Sequence, residues 1–285
     1  MIKQLTVIGV GLIGGSLARA LRDADCVDAI VGCGLDKNHL QQAIDLGVID
    51  KYETDPAKAV VGSEMVVVAV PVGAMHALFE AILPKLEANA IVTDVGSTKG
   101  SVLDAMIAAN GQMPPNFVPG HPIAGTEKTG VAASFPGMFH HRRVVLTPVE
   151  STDAAALKRV QEMWEATGAI VSTMDARHHD DVLAATSHLP HLLAFSLVDT
   201  LAALDEKVEI FKYAAGGFRD FTRIASSDPK MWHDICVNNR EAILKILTRF
   251  QKDLENLGNA IEQNDSEYIM EVFKRAKDSR DQFSH

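Results

Sequence analysis

The stretch TVIGVGLIGGSLARAL, residues 6–21, constrains this 285-residue chain more than any other. An unbroken apolar run ending at Ile8 reads as a buried strand. Leu17, Ala18 and Leu21 then recur with helical spacing. Between strand and helix, Gly9, Gly11 and Gly14 form G-x-G-x-x-G. In that setting the first glycine makes the tight turn and the second lets backbone approach a pyrophosphate. The third lets helix and strand pack closely. The helix start supplies unpaired N–H groups and the positive end of its dipole. The motif therefore predicts a dinucleotide held by Gly9, Gly11, Leu12, Ile13 and Gly14.

The next 150 residues keep the same rhythm. DAIVGCG, EMVVVAVP and NAIVTDVG read as strands separated by helical stretches, and RRVVLTP and GAIVSTM as later strands. This alternation predicts an α/β Rossmann domain with a mainly parallel sheet. Ligands lie beyond the carboxyl ends of such strands, which places Val70 and Pro71 along the cofactor. From about residue 175 no β-rich run occurs. HHDDVLAATSHLPHLLAFSLVDTLAALD reads as one long amphipathic helix kinked at Pro190, followed by further helices. Two domains are expected, 1–174 and 175–285, the second all-α.

An acid about 20 residues beyond the glycines normally binds the ribose of NAD. That position holds Gly34, with Asp36 and Lys37 just beyond. Asp36 on the ribose favours NAD, whereas Lys37 on a 2′-phosphate accommodates NADP. The expectation leans to NAD.

Charge and composition remove other classes. The formal net charge is -10 and no basic run occurs, which argues against nucleic-acid partners. No signal-peptide pattern opens the chain and no apolar run reads as membrane-spanning, so a cytoplasmic protein is expected. The three cysteines, Cys26, Cys33 and Cys236, lack metal-ligand spacing and read as reduced thiols. An anionic substrate would need a few well-placed cations.

The segment VPGHPIAGTEKTG, residues 118–130, sets His121 in a stretch too rich in glycine and proline for a helix and without the alternation of a strand. It reads as a constrained loop. SHLPH places His188 and His191 three apart on one helix face. No further ligands accompany them, so no metal is expected. His178 and His179 read as solvated, and Lys99 as a surface or helix-start residue.

Taken in order, GVGLIGGSLARAL, DVGSTKG, GHPIAGTEKTG, SHLPH and GGFRDFTRIASSDPKMW resemble the prephenate dehydrogenase family, with its arogenate and cyclohexadienyl relatives, over nearly the whole chain. The resemblance implies a Rossmann domain joined to a helical dimerisation domain. It also implies oxidative decarboxylation of prephenate or arogenate in tyrosine biosynthesis. His121 becomes the catalytic base, a role that suits imidazole near neutrality. Ser97 lies beside it, hydrogen-bonding imidazole and substrate. Thr126 and Glu127 stand at the substrate mouth, and His188 and His191 face the site from the helical domain. Arg223 becomes the carboxylate clamp, a role that fits its planar fork. Asp220 orients or pairs with an arginine, and Trp232 lines the pocket or the core.

Two rival readings remain at this level. A β-hydroxyacid-type dehydrogenase would place a lysine on the interdomain helix, and AATSHLPHLLAF has none. A non-catalytic nucleotide sensor would have no use for both His121 and Arg223. Some of Ile243, Leu244, Ile246, Leu247 and Leu254 exceed what one small helical domain buries, so a symmetric homodimer is expected.

Overall fold

The computed structural model describes residues 1–205 and 207–282. Six strands, β1 (Ile2–Ile8), β2 (Val27–Cys33), β3 (Lys51–Glu53), β4 (Met65–Val68), β5 (Ile91–Asp94) and β6 (Phe117–Val118), form a parallel sheet in the order β3-β2-β1-β4-β5-β6. They are joined by α1 (Leu12–Asp23), α2 (Lys37–Asp45), α3 (Pro56–Ala59), α4 (Met75–Ile82) and α5 (Gly100–Asn110). The strand order reverses between β1 and β4. In an open parallel sheet this reversal opens a crevice at the strands' carboxyl ends.

Strands β4 and β5 and the carboxyl halves of β1 and β2 are buried on both faces, so their sequences are near-continuous apolar runs, whereas the edge strand β3 is polar and largely exposed. Alternate residues still go to opposite sides. Leu5, Val7, Met65 and Val67 pack with Leu17, Leu21 and Trp164, whereas Ile8, Val66 and Val68 pack with Phe79, Met106 and Phe117.

The chain leaves the large sheet at Pro119, whose missing N–H cannot extend the ladder. A second sheet follows, with β7 (Gly120–Pro122) antiparallel to β8 (Arg143–Leu146) and β8 parallel to β9 (Ile170–Thr173). Helix α6 (Ala154–Glu165) crosses between β8 and β9. The two later strands therefore build a separate sheet. His121 lies on a short strand, opposite Val145, where the sequence suggested a loop. A three-residue strand pinned by one neighbour carries too little pattern to be read in advance.

Helices α7 (Ala176–Leu183), α8 (Leu189–Ala202), α9 (Lys207–Lys212), α10 (Gly216–Thr222) and α11 (Pro229–Asn238) complete a compact unit that runs to Arg240. A wide π turn, Ala184–His188, joins α7 to α8. It accommodates Pro190, which has no N–H to give and would crowd the preceding turn of a regular helix. The helical run Ala176–Ala202 is long and apolar enough to cross a membrane, contrary to the sequence reading. His179, Asp180 and His188 on it are nevertheless buried and hydrogen-bonded within the protein. From Glu241 onward a second unit is formed by α12 (Arg240–Glu262) and α13 (Ser266–Gln282).

The three motif glycines do different work. Gly9 has φ +97°, and a Cβ there would meet the Ala69 carbonyl oxygen, just past β4, at 2.3 Å. A Cβ on Gly14 would stand 2.3 Å from the Gly9 oxygen and 2.8 Å from Val7 Cγ1. One on Gly11 would meet nothing within 4 Å. The fold thus demands glycine at 9 and 14 but not at 11. Gly9→Ala and Gly14→Ala should each lower the melting temperature by roughly 5–10 °C, from overpacking of about 2–3 kcal/mol. Gly11→Ala should stay within about 3 °C of the parent, and scanning calorimetry of the three variants checks this.

Candidate active site

The carboxyl edge of the large sheet is held by a buried ion pair. Asp94, the last residue of β5, and Lys99, at the start of α5, are both fully buried. Lys99 Nζ donates to the Asp94 carboxylate and, at 2.7 Å, to the Gly120 carbonyl. The amides of Gly96 (2.7 Å) and Gly120 (3.1 Å) also donate to Asp94. Lys99 does stand at the helix start, but it is not a surface residue. Its side chain turns inward, where it finds the Asp94 carboxylate and the Gly120 carbonyl. The one available signal was the Asp-x-x-x-x-Lys spacing across the DVGSTKG turn.

Lys99 and its neighbour also hold a second acid. The backbone amides of Lys99 and Gly100 donate to the two oxygens of Asp180, each at 2.8 Å. Asp180 comes from α7 and sits at the N-terminus of α5, where a carboxylate is stabilised by free amides and dipole alike. It accepts a third bond from His179 Nδ1 at 2.8 Å. His179 Nε2 in turn lies 2.9 Å from His121 Nδ1, with the two rings edge to face. His179 is wholly buried, so the solvated reading fails for it. The sequence HHDD shows no apolar face that would announce a buried ring. His179 is driven inside by two specific partners.

Proton positions along this chain follow from Asp180. Burial pushes its pKa up, but the bonds from His179, Lys99 and Gly100 outweigh burial and hold it below the usual carboxylate range. An ionised Asp180 only accepts, so His179 Nδ1 carries the hydrogen. With Nδ1 donating to Asp180, an uncharged His179 accepts at Nε2 from His121 Nδ1. The lone pair of His121 is left on Nε2. Burial holds the His121 pKa well below the ordinary 6.5, assisted by His179, the Lys99 cation and His188. The arrangement presents a neutral imidazole in a single tautomer, ready to accept a proton.

Asn239 supports the same cluster. Its amide donates to the Asp180 carbonyl (2.9 Å) and meets His188 Nδ1 at 3.0 Å. His188 therefore accepts at Nδ1, and its hydrogen is on Nε2. Burial drives its pKa down to about 4, against a pull upward from Asp180. His191 is half-buried and stacks on Trp232 with centroids 3.7 Å apart. Its Nδ1 donates to the Ser187 carbonyl at 2.9 Å, which leaves Nε2 as an acceptor. Burial lowers the His191 pKa, and the Arg223 cation adds to that effect. Trp232 is buried, with no hydrogen-bond partner for its Nε1 among the described residues.

Several expected partners differ. Arg223, exposed at the end of α10, reaches Glu127 at 3.5 Å. Asp220 is exposed and pairs with no arginine among the described residues; the acid beside Arg223 is Glu127. Thr126 is exposed, and its hydroxyl accepts from the Lys128 amide at 3.2 Å. Ser97 is half-buried on the turn between β5 and α5 and makes no bond to His121, whose Nδ1 is taken by His179.

The cofactor side is consistent with a dinucleotide. Ala69 abuts Gly9, with Val70 half-buried and Pro71 exposed beyond it. Gly11 faces open space at the start of α1, which has no acid in its first turn. Leu12 and Ile13 are half-buried in that turn. Asp36 and Lys37 are exposed beyond β2. Asp36 caps α2, its Oδ1 accepting from the Asn38 amide at 2.8 Å.

Comparison with known proteins gives one consistent result. The nucleotide-binding domain model of prephenate dehydrogenase matches residues 17–173, and the dimerization domain model of the same enzyme matches residues 175–275. The cyclohexadienyl dehydrogenase of Zymomonas mobilis is 39% identical, covering 98% of this chain and 95% of its own length. The prephenate dehydrogenase of Bacillus subtilis is 36% identical over 99% of this chain and 76% of that protein. The crystal structure of prephenate dehydrogenase from A. aeolicus, in complex with hydroxyphenyl propionate and NAD+, superposes with a TM-score of 0.93. It shares 38% identity and covers 100% of this chain and 99% of that one.

Breaking the Asp94–Lys99 pair should be felt throughout this edge. Lys99→Met leaves a buried carboxylate uncompensated, a loss of about 3–5 kcal/mol. The melting temperature should fall by roughly 10 °C. The double variant Lys99→Met/Asp94→Asn, which removes both charges, should recover part of that loss in the same calorimetric measurement.

Proposed function

We propose, from the fact that the chain belongs to the prephenate dehydrogenase family, that it oxidises and decarboxylates prephenate, arogenate or both in tyrosine biosynthesis, with NAD as acceptor. The observation that carries this reading is His121, held neutral with its lone pair on Nε2 by the chain His121–His179–Asp180. Oxidation of a ring hydroxyl needs a base at the moment hydride departs, and a positioned base is worth roughly 10²–10⁴ in rate.

The steps assigned to this protein are binding, orientation and proton transfer. The glycine turn and the start of α1 would hold the pyrophosphate, and Asp36 or Lys37 would meet the ribose or its 2′-substituent. When bound, the nicotinamide supplies the hydride acceptor. His121 Nε2 takes the proton of the substrate hydroxyl. The resulting imidazolium is stabilised through His179 by the Asp180 carboxylate, the same logic as in other acid–base chains. Arg223 leaves Glu127 to clamp a substrate carboxylate. Ser97, Thr126, His188, His191 and Asp220 complete the substrate surroundings. His188 offers a hydrogen from Nε2, and His191 an acceptor. Loss of the ring carboxylate as CO2 makes the ring aromatic and drives the reaction forward.

Residues 1–174 carry the cofactor in this reading, and 175–285 carry the clamp and the dimer contact. A homodimer accounts for the apolar side chains exposed on α12 and α13, among them Leu244, Leu254, Met270 and Phe273. The enzyme is expected to act in the cytoplasm.

Reduction of NAD and NADP by prephenate and arogenate, compared as kcat/KM, tests the assignment and identifies the preferred pair. No turnover with either substrate would refute it. His121→Asn should lower kcat by about 10²-fold or more while leaving NAD affinity unchanged. The pH profile has a defined sign. A base whose pKa lies well below 6.5 stays neutral as pH falls through 6.5, so kcat/KM should hold there and drop only at lower pH. An acid limb centred at or above 6.5 would contradict this.

Arg223→Ala should raise substrate KM by roughly tenfold to a thousandfold, the equivalent of about 1.4–4 kcal/mol for a carboxylate partner. Arg223→Lys should recover little, because an ammonium cannot form the two-pronged bond. NAD KM and the melting temperature should hardly move in either variant, since Arg223 is exposed.

A further inference from the structure

The Val10 carbonyl of the glycine turn is met from outside the turn. Gly9 donates its amide to the Cys33 carbonyl at 2.8 Å, and Gly11 accepts from the Gly15 amide at 2.9 Å. Between them the Val10 carbonyl receives a side chain from another element. Nε2 of His39, on α2, lies 2.8 Å from it. A carbonyl only accepts, so His39 carries a hydrogen on Nε2.

This bond has a geometric consequence. The Val10–Gly11 peptide is planar and trans, so its C=O and N–H point in opposite directions. Fixing the carbonyl on His39 aims the Gly11 amide away from α2. That amide donates to no described residue, and Gly11 is the one motif glycine beside which a Cβ would meet nothing within 4 Å. The Val10 side chain is buried, which locks the peptide from its other flank. His39 is itself half-buried, and its Cε1 lies 3.7 Å from where a Cβ on Gly130 would stand. The ring is thus in place before any ligand arrives. Without it the Val10–Gly11 peptide has no bond that prefers this orientation over the flipped one.

We infer that His39 is a positioning residue for the dinucleotide, orienting the Gly11 amide toward the pyrophosphate by clamping the Val10 carbonyl from α2. The inference rests on the dinucleotide reading of the turn. His39 belongs to the same helix that Asp36 caps, so one short element ties the pyrophosphate turn to the segment expected at the ribose.

The test is NAD affinity of the full-length protein, measured by titration calorimetry without substrate, for the parent, His39→Leu and His39→Gln. Glutamine places a donor nitrogen at the reach of His Nε2, whereas leucine keeps bulk without a donor. His39→Leu should weaken NAD binding about tenfold, on the order of one net hydrogen bond. His39→Gln should restore most of that, while substrate KM at saturating NAD and the melting temperature stay near parental values. Unchanged NAD affinity in His39→Leu would overturn the inference. So would a loss that glutamine does not rescue and that tracks a lowered melting temperature, since that marks a packing role. If the parent itself binds no NAD, the dinucleotide reading fails first and the inference falls with it.

Discussion

The buried pair of Asp94 and Lys99 is the interaction on which the rest of the site depends. Two charges withdrawn from water cost more than their attraction returns unless every remaining donor and acceptor is met. Here Asp94 takes two backbone amides besides the ammonium, and Lys99 also reaches the Gly120 carbonyl. Those bonds join the end of β5, the start of α5 and the strand that carries His121. Because the Lys99 amide also holds Asp180, both ends of the histidine chain are fixed to one residue. The histidine has little freedom to leave its register.

Electrostatics around this anchor are arranged by burial more than by charge count. The chain carries a formal net charge of -10, yet its candidate site gathers His121, His179, His188 and His191. Burial holds His121, His188 and His191 toward the neutral form, and His179 and Lys99 reinforce that at His121. Arg223 stands apart, exposed and loosely paired with Glu127. A pair of that kind contributes little to stability and is open to exchange for a better carboxylate. The molecule thus separates a preorganised interior, suited to proton transfer, from an exposed cation suited to recognition.

The glycine turn divides in the same way. Gly9 and Gly14 are glycine because backbone and Val7 occupy the space of a side chain, so the fold explains them fully. Gly11 has no such neighbour, so packing within the chain gives no reason for glycine there. A motif that reads as one unit in sequence is thus two packing requirements and one position that packing leaves open.

The sequence by itself determined the architecture of the first domain, since apolar runs buried on two faces and a glycine turn at the first strand leave few alternatives. The helical character of the second half was equally legible from periodicity and from the absence of β-rich runs. The family followed from five motifs in order. What only the tertiary structure decided is which polar groups meet. His179 and Asp180 carry no local signature, and Lys99 only its spacing from Asp94, because a buried polar residue is recognisable chiefly by partners distant in sequence. His121 and His179 are 58 residues apart, and Lys99 and Asp180 are 81 apart. Hydrophobic burial is written along a strand or helix as a period, and so it can be read from one segment. A hydrogen bond between segments leaves no period in either, and its cost or gain exists only once folding has removed the water.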